Sequence, residues 1–255
     1  MKRRLRIIPR LDIKNNTIVK GIHLEGLRVV GVPAVASRAY YAQGADEILY
    51  MDVVASLYER NSLQDIVREV SQNVFVPMTV GGGIRSIKDI KELLRSGADK
   101  VAINTAAIKD PGLIREASLA FGSQCIVGSI EAKRMPNGRW EAYIDTARES
   151  TGVDALDWAC ELVKLGAGEI LVTSIDHEGT GKGFEVPLIK AIASAVDVPV
   201  IACGGCGSAE HVERLLEEAD VSAVACASIF HYERYTIKGF KDELAGKGYP
   251  VSVRA

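Results

Sequence analysis

Two carboxylates and two glycine clusters occupy the positions in this sequence best suited to chemistry. Leu11-Asp12-Ile13 ends the first apolar run, and Ile130-Glu131-Ala132 ends its counterpart, so each half of the chain carries a carboxylate at the end of its first strand. The stretch Val76-Pro77-Met78-Thr79-Val80-Gly81-Gly82-Gly83-Ile84-Arg85-Ser86 is answered about 122 residues later by Val198-Pro199-Val200-Ile201-Ala202-Cys203-Gly204-Gly205-Cys206-Gly207-Ser208. Each copy reads as a short buried strand, a glycine turn and the start of a helix. A backbone without Cβ can approach a phosphate closely, and the amides at a helix start can bind it. The pair therefore reads as two phosphate cups. Asp12 reads equally well as a turn or cap residue when taken alone, because Asp often begins loops.

The elements that must position these residues repeat as well. Gly44-Ala45-Asp46-Glu47-Ile48-Leu49 recurs as Gly166-Ala167-Gly168-Glu169-Ile170-Leu171, and Ala102-Ile103-Asn104-Thr105 is matched by Cys226-Ala227-Ser228, one residue out of step. So long a period indicates a duplicated half-domain, not a solenoid. Helices are expected at Pro33–Gln43, Asn61–Ser71, Ile87–Ser96, Val153–Leu165, Pro187–Ser194, Ala209–Glu218 and Tyr232–Leu244, alternating with eight strands. Ser86 is the expected N-cap of the third helix and Gly97 its stop. Asn137-Gly138 marks a hairpin inserted after the strand of Glu131. The tail beyond Gly246 is expected to be loose. Alternating strands and helices in a twofold repeat predict one (β/α)8 TIM barrel over residues 1–255, with half-barrels at about 1–122 and 123–255.

On this frame, Asp52 falls near the top of the second strand. Asn104 and Thr105 lie beside the first cup, Ala227 and Ser228 at the mouth, and Lys20 in a loop expected to fold over it. The loop of Asp176, His177 and Glu178 is the densest polar segment. Its two acids are expected to face a ligand, and its histidine to be solvated.

Composition narrows the function. A net charge of −2 from 31 basic and 33 acidic residues argues against a dedicated nucleic-acid or membrane surface. No apolar run approaches the ~20 residues of a membrane span, and the basic start lacks a signal-peptide core, so a cytoplasmic protein is expected. Five cysteines form no disulfide framework or metal spacing, and Cys203 and Cys206 read as small residues in a tight turn.

Ile7-Ile8-Pro9-Arg10-Leu11-Asp12, Val19-Lys20-Gly21, Thr79 to Arg85, Asn104-Thr105, Phe121 to Val127 and Leu171 to Asp176 occur in an order that resembles the cyclase subunits of imidazole glycerol phosphate synthase, over nearly the whole chain. The resemblance implies a barrel that takes ammonia from a glutaminase subunit. The ammonia converts a two-phosphate nucleotide intermediate into imidazole glycerol phosphate and an aminoimidazole carboxamide ribonucleotide, without metal or cofactor. Asp12 and Glu131 would then be acid and base. Lys20, Asp52, Thr173, Asp176 and Glu178 would surround the substrate. Gly82, Gly83, Asn104, Thr105, Gly204, Gly205, Ala227 and Ser228 would hold its phosphates. Arg6, Glu47, Lys100 and Glu169, at the starts of their strands, would form the gate through which ammonia enters.

The chain departs from the family pattern at Glu131 and Glu178, where Asp is usual, and at Arg10, where a small residue is usual. An added methylene moves a carboxylate by about 1 Å, enough to cost ~100-fold in rate. Arg10 is expected to lower the pKa of Asp12 by charge pairing. Two other readings remain open from sequence: a paralogous barrel that channels ammonia for amidation of a surface-glycan sugar, and the phosphoribosyl isomerase of the same pathway.

Overall fold

Runs such as Val200–Cys203 and Ala223–Cys226 are only four residues long and buried throughout, which suits strands covered on both faces. The computed structural model describes residues 4–54 and 63–252. Its strands are β1 (Arg6–Lys14), β2 (Thr17–Ile22), β3 (Glu25–Gly31), β4 (Ile48–Asp52), β5 (Met78–Gly81), β6 (Lys100–Ile103), β7 (Ile126–Arg134), β8 (Trp140–Ile144), β9 (Glu149–Asp154), β10 (Glu169–Ser174), β11 (Val200–Cys203) and β12 (Ala223–Cys226). β1, β4, β5, β6, β7, β10, β11 and β12 pair in parallel in that order, and β12 returns to β1, so the ring is closed. Helices lie between successive ring strands, which makes the fold a (β/α)8 barrel.

Side chains alternate across each ring strand. Ile7, Tyr50, Val80, Val101, Ile170 and Val224 turn outward into the core shared with the helices. Ile8, Leu49, Ala102, Val127, Leu171, Ile201 and Ala223 turn inward and form a separate apolar layer inside the ring. β1 lays out the whole axis: Arg6, Ile8, Arg10 and Asp12 point inward in succession from its amino to its carboxyl end.

The first strands of the two expected halves, β1 and β7, continue in the same way. β1 continues into the antiparallel pair β2 and β3, and β7 continues into β8 and β9. The Lys20 segment expected as a loop is therefore a strand, because its residues pair on both edges. Ser86 caps the Ile87–Ser96 helix by accepting from the Asp89 amide at 3.3 Å, and Gly97 ends it at φ +115.

Three other expectations need correction. The Val153–Leu165 helix begins at Ala155, because Val153 and Asp154 belong to β9 and the Asp154 carboxylate caps the helix. The Tyr232–Leu244 helix is instead a short helix at Ser228–His231 and a separate one at Ile237–Gly246, restarted by the Thr236 cap. The segment after Gly246 is tied down: the Leu5 amide donates to the Pro250 carbonyl at 2.7 Å, Val251 bridges Leu5, and Ser252 bonds Asp46. The expected helix at Asn61–Ser71 is seen at Leu63–Val70; Asn61 lies outside the described residues. No helix among the described residues is long and apolar enough to cross a membrane.

Candidate active site

At the amino-terminal foot of the ring, Glu47 and Glu169 are each held between two cations. Arg6 Nη1 donates to Glu47 at 2.7 Å, and its other terminal nitrogen donates to Glu169. Lys100 Nζ reaches Glu47 at 3.0 Å and Glu169 at 2.8 Å. Thr79 adds a hydroxyl donor to Glu47. The four charges cancel and close the foot of the barrel. A shallow depression of about 530 Å³ outside them is lined by Arg4, Gln124, Pro199 and Ser222 as well as by Arg6, Lys100 and Glu169.

At the opposite rim, Asp12 is buried with one cation on each carboxylate oxygen. Arg10 Nε donates to its Oδ1 at 2.8 Å, and Lys20 Nζ to its Oδ2 at 3.1 Å. Burial works to raise the Asp12 pKa, but the two charges outweigh it and hold the carboxyl down at about 2, as charge pairing with Arg10 anticipates. Lys20 also pairs with Glu178, and although burial opposes its charge, the two carboxylates keep its pKa raised. Arg10 extends across the axis to Thr173 Oγ1 at 3.1 Å and Cys203 Sγ at 3.3 Å. His231 Nε2 lies 3.0 Å from the Arg10 carbonyl, and burial depresses its pKa to about 4.

Glu131 stands apart from this cluster. Its Oε2 accepts from the Ala147 amide at 2.9 Å, and burial pushes its pKa up to about 7 against the opposing charge of Arg10. It lines a cavity of about 360 Å³ together with Asp52, Gly82, Gly83, Asn104 and Thr105. Gly82 has φ +97, and a Cβ there would press into the Asp52 backbone, so the turn depends on glycine. Asn104 donates to the Tyr143 carbonyl at 3.1 Å, while its buried Oδ1 has no partner among the described residues. Thr105 accepts from the Asp145 amide at 3.1 Å.

The second cup is nearly filled. Gly204 and Gly205 have φ of +95 and +97, yet the space bounded by them, Glu178, Ala227 and Ser228 is about 10 Å³. The β2–β3 pair sits on the loop that carries Glu178, with the His23 amide donating to the Glu178 carbonyl at 2.8 Å. Asp176 lines neither cavity; its Oδ2 accepts from the Arg134 amide at 2.8 Å and fastens that loop to β7. Sequence reasoning missed Glu185, whose buried carboxylate accepts from Ser174 and Trp140 at 2.6 Å each, and His231; neither sits in a motif. All five cysteines are free, and among the described residues no cluster of His, Cys, Asp or Glu is arranged to hold a metal.

The arrangement can do acid–base chemistry on a ligand placed over the carboxyl ends of the strands, with a neutralised charge ring at the far end. Residues 6–236 match the family described as "Histidine biosynthesis protein". A relative from Legionella pneumophila, named imidazole glycerol phosphate synthase subunit HisF, is 62% identical over 206 residues, covering 81% of this chain and 97% of the relative.

Proposed function

The chain belongs to the histidine biosynthesis protein family, and from that membership we propose that it works as the cyclase subunit of imidazole glycerol phosphate synthase. It uses ammonia to convert the phosphoribulosyl-formimino aminoimidazole carboxamide ribonucleotide into imidazole glycerol phosphate and aminoimidazole carboxamide ribonucleotide. The observation that carries the reading is the axis of β1, which puts Arg6 in the charge ring at the foot, Ile8 in the apolar layer and Asp12 at the upper rim. An apolar interior favours ammonia in its uncharged form, because an ion would be stripped of water there.

In this reading, residues 1–122 and 123–255 are two half-barrels of one domain, and each contributes one carboxylate and one cup. The first cup, with Gly82, Gly83, Asn104 and Thr105, holds one phosphate. The second, with Gly204, Gly205, Ala227 and Ser228, holds the other once Lys20, Glu178 and the β2–β3 pair give way. Pinning both ends of the substrate fixes its middle against Asp12 and Glu131, with Asp52, Thr173 and Asp176 supporting the surrounding loops. A glutaminase docks on the foot of the barrel and delivers ammonia past Arg6, Glu47, Lys100 and Glu169.

Purified protein given ammonium salt and the formimino nucleotide is expected to release the carboxamide product, with the rate falling at least ~100-fold in Asp12→Asn. A rate indifferent to that change would sink the reading. Binding of a glutaminase without any turnover would instead assign the barrel to ammonia supply for a separate amidotransferase.

A further inference from the structure

Arg10 is an arginine with only 2% of its surface exposed, placed inside the ring. Together with Lys20 it occupies both oxygens of Asp12, and Lys20 in turn neutralises Glu178. Two cations and two anions thus compensate one another within one buried cluster. Glu131 makes no bond to that cluster; its only described hydrogen bond is from an uncharged amide, and it faces the open cavity.

We propose that Arg10 divides the labour between the two carboxylates, locking Asp12 as a fixed anion and leaving Glu131 to carry the proton in both directions. The inference rests on the cyclase reading for its substrate. When the nitrogen of ammonia bonds to the ribulosyl carbonyl carbon, the carbonyl π bond breaks and its oxygen takes the Glu131 proton. The Glu131 carboxylate so formed takes one proton from the new ammonium nitrogen. The carbonyl and ammonia have become a hydroxyl and an amine on one carbon, and Glu131 is an acid again. Asp12 keeps its charge throughout and is a positioning group for Arg10.

The groups that bear on these two carboxylates come from several elements. Asp12 is faced by Arg10 on its own strand, Lys20 on β2 and the neutral ring of His231 beyond β12, while Glu178 after β10 and Cys203 on β11 face the Arg10–Lys20 pair. Glu131 feels Arg10, Asp12 and Glu178. Asp52, Arg85, Lys109 and Asp145 border its cavity.

The deciding measurement needs no substrate. The carboxylic-acid C=O stretch in the infrared spectrum of wild type is expected to titrate with a midpoint of about 7, to be absent in Glu131→Gln and to persist in Asp12→Asn. Arg10→Gln is expected to raise the Glu131 midpoint and to bring in a second acid band from Asp12, shifted up by about one pH unit or more, with Arg10→Lys restoring both. A wild-type band that disappears in Asp12→Asn overturns the proposal, as does an Arg10→Gln protein whose midpoints do not move. Should Arg10→Gln fail to fold, the comparison of wild type, Glu131→Gln and Asp12→Asn still decides. In turnover, rates per unprotonated ammonia between about pH 5 and about pH 9 are expected to show one alkaline fall in wild type, and the same fall moved to higher pH in Arg10→Gln. A wild type without turnover removes the cyclase reading and leaves the infrared result to judge the division of labour.

Discussion

Asp12 and Glu131 are both buried acids at the ends of first strands, and their surroundings drive them apart: two cations bonded to the first hold it ionised, while burial of the second outweighs the more distant charge of Arg10 and its bond from an amide. The consequence extends to stability. The folded pKa of Glu131, about 7, lies above its ordinary value of 4.5, so the folded chain binds that proton more tightly than the unfolded one. Its stabilising contribution is complete below about pH 4.5 and is lost as the pH rises through about 7. Glu131→Gln is therefore expected to match wild type in denaturant midpoint near pH 4.5 and to gain roughly 3 kcal/mol near pH 8. Equal midpoints at both pH values would mean that the carboxylate is ionised there at no cost. At this scale the sequence was partly legible. Arg10 lies two residues from Asp12, so their pairing follows from strand alternation. The Ala147 amide that meets Glu131 comes from a turn 16 residues away and leaves no local signal.

Among the elements, the glycine turns were the most legible, because a positive φ and a close backbone approach both demand glycine. Gly82→Ala is expected to raise the KM for the bisphosphate nucleotide about 10-fold or more, since the new Cβ must push back the Asp52 backbone or flatten the turn. Gly26→Ala is the control: it has φ +63 with nothing within 4 Å of its Cβ, so it carries the same backbone strain with no clash, and its KM should stay near that of wild type. The hairpin containing Lys20 was harder to read. Its strand pairing and its seat on the Glu178 loop are long-range contacts, and Thr17-Ile18-Val19-Lys20 taken alone suits a loop as well as a strand. The break in the last helix was also hidden, because Tyr232 to Tyr235 keeps a helical composition while its backbone leaves the helix after His231 and turns left-handed at Glu233, φ +54.

For the whole molecule, the barrel followed from the repeat, since a twofold duplication of four strand–helix units closes more naturally than it stays open. The charge ring at the foot could be identified from sequence only through family resemblance. The spacing of Arg6, Glu47, Lys100 and Glu169 has no local period, and only ring closure brings them together. Lys100→Met leaves Arg6 alone between two glutamates. With a glutaminase bound, the glutamine-fed rate is expected to fall about 10-fold further than the rate with added ammonium, a ratio that parallel assays would read directly. Equal losses in both assays would make the ring a purely structural brace.

β1 pairs with β4 on one side and with β12 on the other, and Leu5 is bridged to Val251. During synthesis β1 must therefore wait, one edge unpaired, until β12 has been made. Until then Arg6 to Pro9 has no second neighbour, and Asp12 lacks the finished wall that Cys203 and His231 help to build. A chain that lacks β12 would accordingly be inert, and the catalyst would come into being in the one step that closes the ring.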